Sequence, residues 1–130
     1  MLYFKKNVRI KELNETGAIV IEGLVFVSND NLDMWITSAN DSTHRQGSAH
    51  YKNRAFDIRT RHLNYENFEE LTLSMLDVDD VALILFEWRE EINGEWVMHS
   101  VKTENDSYYS EFEKYLNCKN KKVSHLHVEW

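Results

Sequence analysis

Apolar and polar residues alternate over several short runs of the chain, which is the pattern of half-buried β-strands. The runs predicted as strands are residues 18–27, 33–39, 54–60, 81–90, 95–101 and 123–130. The first run is rich in β-branched residues, and its Gly23 predicts a kink. Asn93 and Gly94 lie between the fourth and fifth runs, and an Asn-Gly pair in that position is a strong signal for a hairpin.

Two other segments carry apolar residues at the spacing of an α-helix. Residues 64–78 place Phe68 and Met75 on one face, and residues 106–119 repeat this pattern behind Asp106, a suitable N-cap. Strands interrupted by two helices predict an α+β fold, in which a mostly antiparallel sheet has both helices packed on it. The length of 130 residues predicts a single domain over residues 1–130.

The charge balance argues against one class of partner. The chain has 15 Lys and Arg residues against 22 Asp and Glu residues, a formal net charge of -7. Domains that bind nucleic acid normally carry a basic surface, so we expect no nucleic-acid partner. A local basic patch does not change this balance. It contains Lys52, Arg54, Arg59 and Arg61.

Cysteine content and targeting signals narrow the class of protein further. The single cysteine, Cys118, excludes an internal disulfide and a zinc site built from cysteines. The first residues include too few apolar side chains for a signal peptide. No run approaches the roughly 18 apolar residues that a membrane helix needs. We therefore expect a chain that is made in the cytosol and has no membrane span.

The last predicted strand carries titratable side chains on one face. Because side chains alternate between the faces of a strand, His125, His127 and Glu129 share one face. The other face is apolar and can dock on the core. It contains Leu126, Val128 and Trp130. Three titratable groups on one face indicate that this face lines water, a charged group or a metal, and they are unusual for a plain solvated edge, although edges do carry charge.

His50 and Asp57 provide further candidate ligands. In the run 54–60, Phe56 and Ile58 favour the core, which turns Asp57 to the opposite face. Two imidazoles and a carboxylate suit zinc and leave a fourth coordination position for water. The alternative for His50 and Asp57 is a hydrogen-bonded pair at the surface.

Two motifs resemble those of the zinc D-Ala-D-Ala metallopeptidase family, which shares its metal site with lysostaphin-type enzymes and the hedgehog domain. The first motif is S-x-H-x-x-x-x-A-x-D, formed by Ser48, His50, Ala55 and Asp57, and the second is the terminal H-x-H. Residues 36–51 are also similar to the compact phage and prophage members. The resemblance implies a hedgehog/D-Ala-D-Ala peptidase-like fold.

The resemblance also implies roles for the residues at the matching positions. His50, Asp57 and His127 would bind one zinc ion. The first histidine of H-x-H, His125, would lie beside the metal, where it would shuttle a proton or donate to the developing oxyanion.

Three further residues would contribute to substrate binding. Ser48 would support the loop that carries the first ligand, and His44 would shape the substrate cleft. Arg59 would anchor a substrate carboxylate, although its spacing from Asp57 equally suits a salt bridge between the two.

The chain departs from the family pattern at two places. Asn53 replaces the glycine that the family prefers three residues after the first histidine, and asparagine tolerates positive φ well. The chain also lacks the acidic residue that many relatives place shortly before the final zinc histidine. Lys121 and Lys122 stand in this region. Glu129 is then the first candidate for the general base, and Glu87 is the second.

These residues predict a zinc metallopeptidase that hydrolyses an amide bond in peptidoglycan stem peptides, of the endolysin or D-Ala-D-Ala carboxypeptidase kind. It would reach the cell wall by phage-type release or as a virion component.

One alternative is a non-catalytic zinc-binding interaction domain that has lost the general base. A second alternative is an iron oxygenase with two histidines and one carboxylate. Such enzymes usually separate the first histidine from the carboxylate by one residue, whereas six residues separate His50 from Asp57.

The sequence makes no prediction about the oligomeric state.

Overall fold

The computed structural model describes residues 1–40, 44, 46–103 and 107–130, and within these ranges the chain forms six strands and three α-helices. The strands are β1 (Leu2–Phe4), β2 (Met34–Ser38), β3 (Ala55–Arg59), β4 (Leu83–Ile92), β5 (Glu95–Lys102) and β6 (Lys121–Glu129). The α-helices are α1 (Glu15–Val27), α2 (Tyr65–Leu76) and α3 (Ser107–Asn117). A short 3-10 helix, Ala49–Lys52, precedes β3.

The six strands form one mixed sheet in the order β1-β2-β3-β6-β4-β5. The β1–β2 pair is parallel, and the other pairs are antiparallel. The α+β class and the mostly antiparallel sheet are therefore confirmed, but the described residues form three α-helices rather than the predicted two. The last strand, β6, lies between β3 and β4, which brings distant parts of the sequence to the centre of the sheet.

Residues 18–27 form most of helix α1, so their prediction as a strand was wrong. The Asn14 side chain caps this helix by accepting a hydrogen bond from the Gly17 amide at 2.9 Å. The buried apolar residues are Val20, Leu24 and Val27. Their spacing of four and three is helical, and a run rich in β-branched residues does not by itself distinguish a strand from a buried helix.

Gly23 serves helix packing rather than a strand kink. A Cβ atom at Gly23 would lie 2.9 Å from Cε of Met75 in α2, closer than real Cβ contacts. The missing side chain therefore lets α1 and α2 approach each other closely.

The other predicted elements are present with shifted ends. Asn93 and Gly94 have φ angles of 52° and 81°, as a two-residue hairpin turn of type I′ requires, and they join β4 to β5. The proposed N-cap of α3, Asp106, lies outside the described residues. No α-helix in the described ranges combines the length and apolar character that crossing a bilayer requires.

The helices cover one face of the sheet and enclose a single hydrophobic core. The stacked rings of Phe68 in α2 and Phe112 in α3 lie 3.9 Å apart at its centre. The sheet contributes alternate residues to this core. They include Phe56, Ile58, Ile84, Phe86, Leu126 and Val128. The intervening residues of β3, β4 and β6 point to the face opposite the α-helices, and the candidate ligands of β3 and β6 are among them.

Candidate metal centre

The three residues predicted as metal ligands lie together on the face of the sheet opposite the α-helices. One side-chain ligand atom from each of His50, Asp57 and His127 lies within 4.8 Å of the others. Asp57 Oδ1 is 3.3 Å from His50 Nε2 and 2.8 Å from His127 Nδ1. These three groups could hold a metal ion.

Two of the three residues are fixed by strand pairing. Asp57 in β3 is the register partner of His127 in β6, which accounts for the proximity of residues that are 70 positions apart. The backbone of both strands is held in the interior of the sheet, so the two side chains sit on a rigid support. This is the kind of placement that a metal site needs.

The third residue, His50, is held by the short 3-10 helix before β3. Ser48 caps this helix, and its Oγ accepts a hydrogen bond from the His50 amide at 3.3 Å. Asn53 ends it in the left-handed region, with φ 56° and ψ 38°. The Asn53 side chain accepts a hydrogen bond from Asn40 Nδ2 at 2.8 Å. Asparagine thus provides the turn conformation and also connects it to the residues after β2.

The orientation of the His50 ring follows from its hydrogen bond to the main chain. Nδ1 lies 2.7 Å from the Ala39 carbonyl oxygen, so Nδ1 must carry the proton and donate it. The Nε2 atom faces Asp57 and is therefore the nitrogen of this ring that could bind a metal. A carbonyl that fixes the tautomer of a histidine in this way is a usual partner of metal ligands. Every residue has a main-chain carbonyl, so the sequence could not show that the Ala39 carbonyl is the one that accepts this hydrogen bond.

His44 lies against the other side of this ring. The rings of His44 and His50 are stacked, with centroids 4.0 Å apart and planes 8° apart. His44 Nε2 is also 3.3 Å from Ser38 Oγ, and the Tyr51 hydroxyl donates to the His44 carbonyl at 3.0 Å. His44 therefore helps to enclose His50. Residues 41–43 and 45, which complete this part of the resemblance, lie outside the described residues.

The two candidate bases each contact a histidine of β6. Glu129 Oε2 lies 3.0 Å from Nε2 of His127, and Glu87 Oε1 lies 3.2 Å from Nε2 of His125. His125 Nε2 is also 3.8 Å from Asp57 Oδ1. The His125–Glu87 pair thus borders the three-residue cluster, while Glu129 contacts a ring that belongs to it.

The electrostatics of the cluster favour charged groups despite their burial. Burial would raise the pKa of Asp57, but hydrogen bonds from His127 and His50 outweigh it and bring that pKa far below its ordinary value. Burial would lower the pKa of His127, but its hydrogen bonds to Asp57 and Glu129 raise the pKa to about 9. Without metal, the site is therefore an anionic carboxylate held by an imidazolium, and a cation can take the place of that proton.

Hydrogen bonding also outweighs burial in its effect on the pKa values of His125 and Glu87. Burial would lower the pKa of His125, but the hydrogen bond to Glu87 and the charge of Asp57 raise it. Burial would raise the pKa of Glu87, but its hydrogen bond to His125 lowers it. His125 and Glu87 are therefore hydrogen-bonded partners beside the cluster, and each stabilises the ionised form of the other.

Arg59 does not form the salt bridge that was its alternative role. Among the described residues, Arg59 and Asp57 make no ion pair, and the Arg59 guanidinium lies over the Trp35 ring, 4.7 Å from its centroid. Arg59 also lines a cleft of about 450 Å³ that borders Asp57 and His125.

Scans of protein-family models, curated proteins and solved structures gave no match to this chain. The resemblance to the zinc D-Ala-D-Ala metallopeptidases thus depends on the two sequence motifs. The convergence of the motif residues on the sheet is an observation independent of those motifs.

Proposed function

We propose that the protein is a zinc-dependent peptidase that hydrolyses an amide bond in peptidoglycan stem peptides. The observation that supports this most is the convergence of His50, Asp57 and His127 beside the His125–Glu87 pair. Catalytic zinc sites use three such protein ligands and leave one position for water or substrate. Structural zinc sites are instead closed by a fourth protein ligand.

The donor set fits zinc in its chemistry as well as in its number. His50 offers Nε2 because Ala39 holds the proton on Nδ1, and His127 offers Nδ1 because Glu129 contacts Nε2. Zinc bound there would lower the pKa of a water ligand and polarise the carbonyl of the scissile amide.

The residues around these ligands would transfer protons and orient a ligand. Glu87 and Asp57 would stabilise a protonated His125, which could donate its proton to a developing oxyanion or to a leaving amine. Glu87 would accept and return protons through His125. Glu129, the first candidate from the sequence, would instead orient the His127 ring, because it contacts a ligand rather than the open side of the cluster.

Metal analysis combined with peptide digestion tests this proposal. We expect the purified protein to hold one zinc ion per chain and to cleave a peptidoglycan stem peptide, and a chelator to abolish the cleavage. His127→Ala should lose both properties, while His62→Ala, a histidine outside the cluster, should keep both. A wild-type protein without stoichiometric zinc, or with iron in its place, would refute the proposal.

A non-catalytic metal-binding domain is the second candidate, and two observations favour it. Both candidate bases are already engaged by imidazoles in the metal-free arrangement. Lys121 also stands in the region where many members of the resembled family carry an acidic residue. Its Nζ has a structural role instead, because it donates to the Tyr115 carbonyl at 2.7 Å and to the Leu116 carbonyl at 3.1 Å. Stoichiometric zinc without cleavage of any stem peptide would select this candidate.

A further inference from the structure

A groove between α1 and α2, here called the helix groove, lies on the side of the sheet that carries the α-helices. It has a volume of about 470 Å³. Gly23 in α1 and Ser74 in α2 both line it, at the place where the two helices approach each other closely. The candidate metal centre is on the other face of the sheet and shares no residue with this groove. A ligand in the groove would therefore leave the metal centre accessible.

Apolar side chains of the helix groove are exposed to water. Phe26, in the last turn of α1, has an exposed fraction of 82%, which no other large apolar side chain in the described part of the chain reaches. Ile19 lies seven residues earlier, on the same side of α1, and is 40% exposed. Val78, after the end of α2, contributes a third apolar side chain. Apolar side chains that line an open groove in this way are typical of a binding surface.

The other titratable side chains that line the helix groove are all acidic. Its four carboxylates belong to Glu22, Asp77, Asp79 and Asp80. Among the described residues, no lysine or arginine lines the groove, and none of these four carboxylates takes part in an ion pair. Asp80 accepts a hydrogen bond from Thr16 Oγ1 at 3.5 Å, which leaves its negative charge in place. The groove is therefore apolar inside and negatively charged around its opening.

The two helices add to this negative potential. The last turns of both α1 and α2 border the groove, through Phe26 and Ser74. The C-terminal end of a helix carries partial negative charge, which lysine or arginine side chains in the last turn often balance. Neither of these last turns contains a basic residue. A cation that entered the groove would be attracted by the helix ends as well as by the carboxylates.

We propose that the helix groove binds a basic amphipathic segment of a partner protein. Its apolar side chain would pack between Ile19 and Phe26, and its lysine or arginine side chains would meet the surrounding carboxylates. Amphipathic helices commonly bind in grooves in this way. A second copy of this chain carries the same formal net charge of -7, so electrostatic repulsion opposes it as the occupant. The proposal does not depend on the peptidase activity.

Binding of a synthetic peptide tests the apolar part of the groove. The protein would be titrated into a fluorescently labelled amphipathic helix of lysine and leucine, at about 0.15 M salt, where long-range attraction is largely screened. Phe26→Ser should bind this peptide about tenfold more weakly, because the variant loses the apolar contact of that side chain. Leu116→Ser is the matched control, since Leu116 is exposed on α3 outside the groove, and it should bind like the wild type.

A second pair of variants tests the carboxylates. Glu22→Gln/Asp79→Asn should bind the peptide about threefold more weakly, as expected for the loss of two exposed ion pairs. The control Glu70→Gln/Glu113→Gln removes the same charge from exposed positions outside the groove, and it should bind like the wild type. A peptide with glutamate in place of lysine should not bind.

Amide resonances locate the bound peptide. Those of Ile19, Gly23 and Phe26 should shift during the titration, whereas that of His127 should not. Unchanged groove resonances, or equal binding by Phe26→Ser and the wild type, would overturn the proposal. Equal weakening by the two charge variants would attribute binding to net charge alone and would overturn it as well. A protein that sediments as a dimer, and as a monomer with Phe26→Ser, would assign the groove to a second copy of the chain instead.

Discussion

Glu129 Oε2 lies 3.0 Å from His127 Nε2, while Nδ1 of the same ring lies 2.8 Å from Asp57. The two carboxylates hold the imidazole from its two nitrogens. If His127 and Asp57 held a metal in place of that proton, Glu129 would still contact Nε2 and fix the ring. This relationship separates an orienting role for Glu129 from a role as the general base.

Glu129→Gln should therefore weaken zinc binding. Loss of a carboxylate that orients a ligand histidine typically lowers metal affinity by about 10- to 100-fold. Competition with a chromogenic chelator measures this change, and Glu113→Gln on the exposed side of α3 is the matched control. If Glu129→Gln kept its zinc affinity and lost only hydrolysis, Glu129 would be the base.

Glu87→Gln should show the reverse pattern. Glu87 contacts His125 rather than one of the three candidate ligands, so zinc affinity should stay within a few-fold of the wild type. The kcat for a stem peptide should fall by about 10²- to 10⁴-fold, the usual contribution of a group that transfers protons. Steady-state kinetics and the chelator competition measure the two quantities on one preparation. Normal turnover in this variant would show that the His125–Glu87 pair does not carry the proton.

Part of the fold could be predicted because short elements with clear periodicity need no tertiary information. The hairpin of β4 and β5 is set by Asn93 and Gly94, and β6 by strict alternation. The residues of helix α1 predict a strand because β-branched residues are compatible with both structures, and only the Asn14 cap favours the helix. The three residues of β1 are too short for any pattern, and their pairing with β2 depends on the tertiary fold.

The candidate site, like the fold, could be predicted only in part. Alternation alone placed Asp57 on the face opposite Phe56, and it placed His125 and His127 together, but it could not say which strands are neighbours. Only the position of β6 between β3 and β4 brings these residues next to each other and next to Glu87. The role of the Ala39 carbonyl depends on the loop after β2, which no residue type in the sequence indicates.

The stability of the metal-free protein should depend on pH through His127. Its pKa in the folded state is about 9, above the ordinary value of 6.5, because Asp57 and Glu129 stabilise the charged ring. This contribution is complete below pH 6.5 and is lost as the pH rises through about 9. One proton corresponds to a slope of at most about 1.4 kcal/mol per pH unit.

Urea denaturation in the presence of a chelator, from pH 6 to 10, measures this effect as the difference between the wild type and His127→Gln. The difference in the free energy of unfolding should shrink as the pH rises. Comparison with the variant removes contributions from other titrating groups. A difference that stayed constant over this range would show that the imidazolium is not stabilised in the folded protein.

The left-handed conformation of Asn53 makes a last prediction about the loop that carries His50. A residue with a Cβ atom other than asparagine is strained at φ 56°, whereas glycine is not. Asn53→Ala should therefore lower the free energy of unfolding by about 1 kcal/mol more than Asn53→Gly. Both variants lose the hydrogen bond from Asn40 equally, so the difference between their free energies of unfolding reflects the backbone at position 53.

The strain should also displace the 3-10 helix of His50, so Asn53→Ala should bind zinc more weakly than Asn53→Gly. Equal stability and equal zinc affinity of the two variants would show that this turn does not hold the first ligand in place.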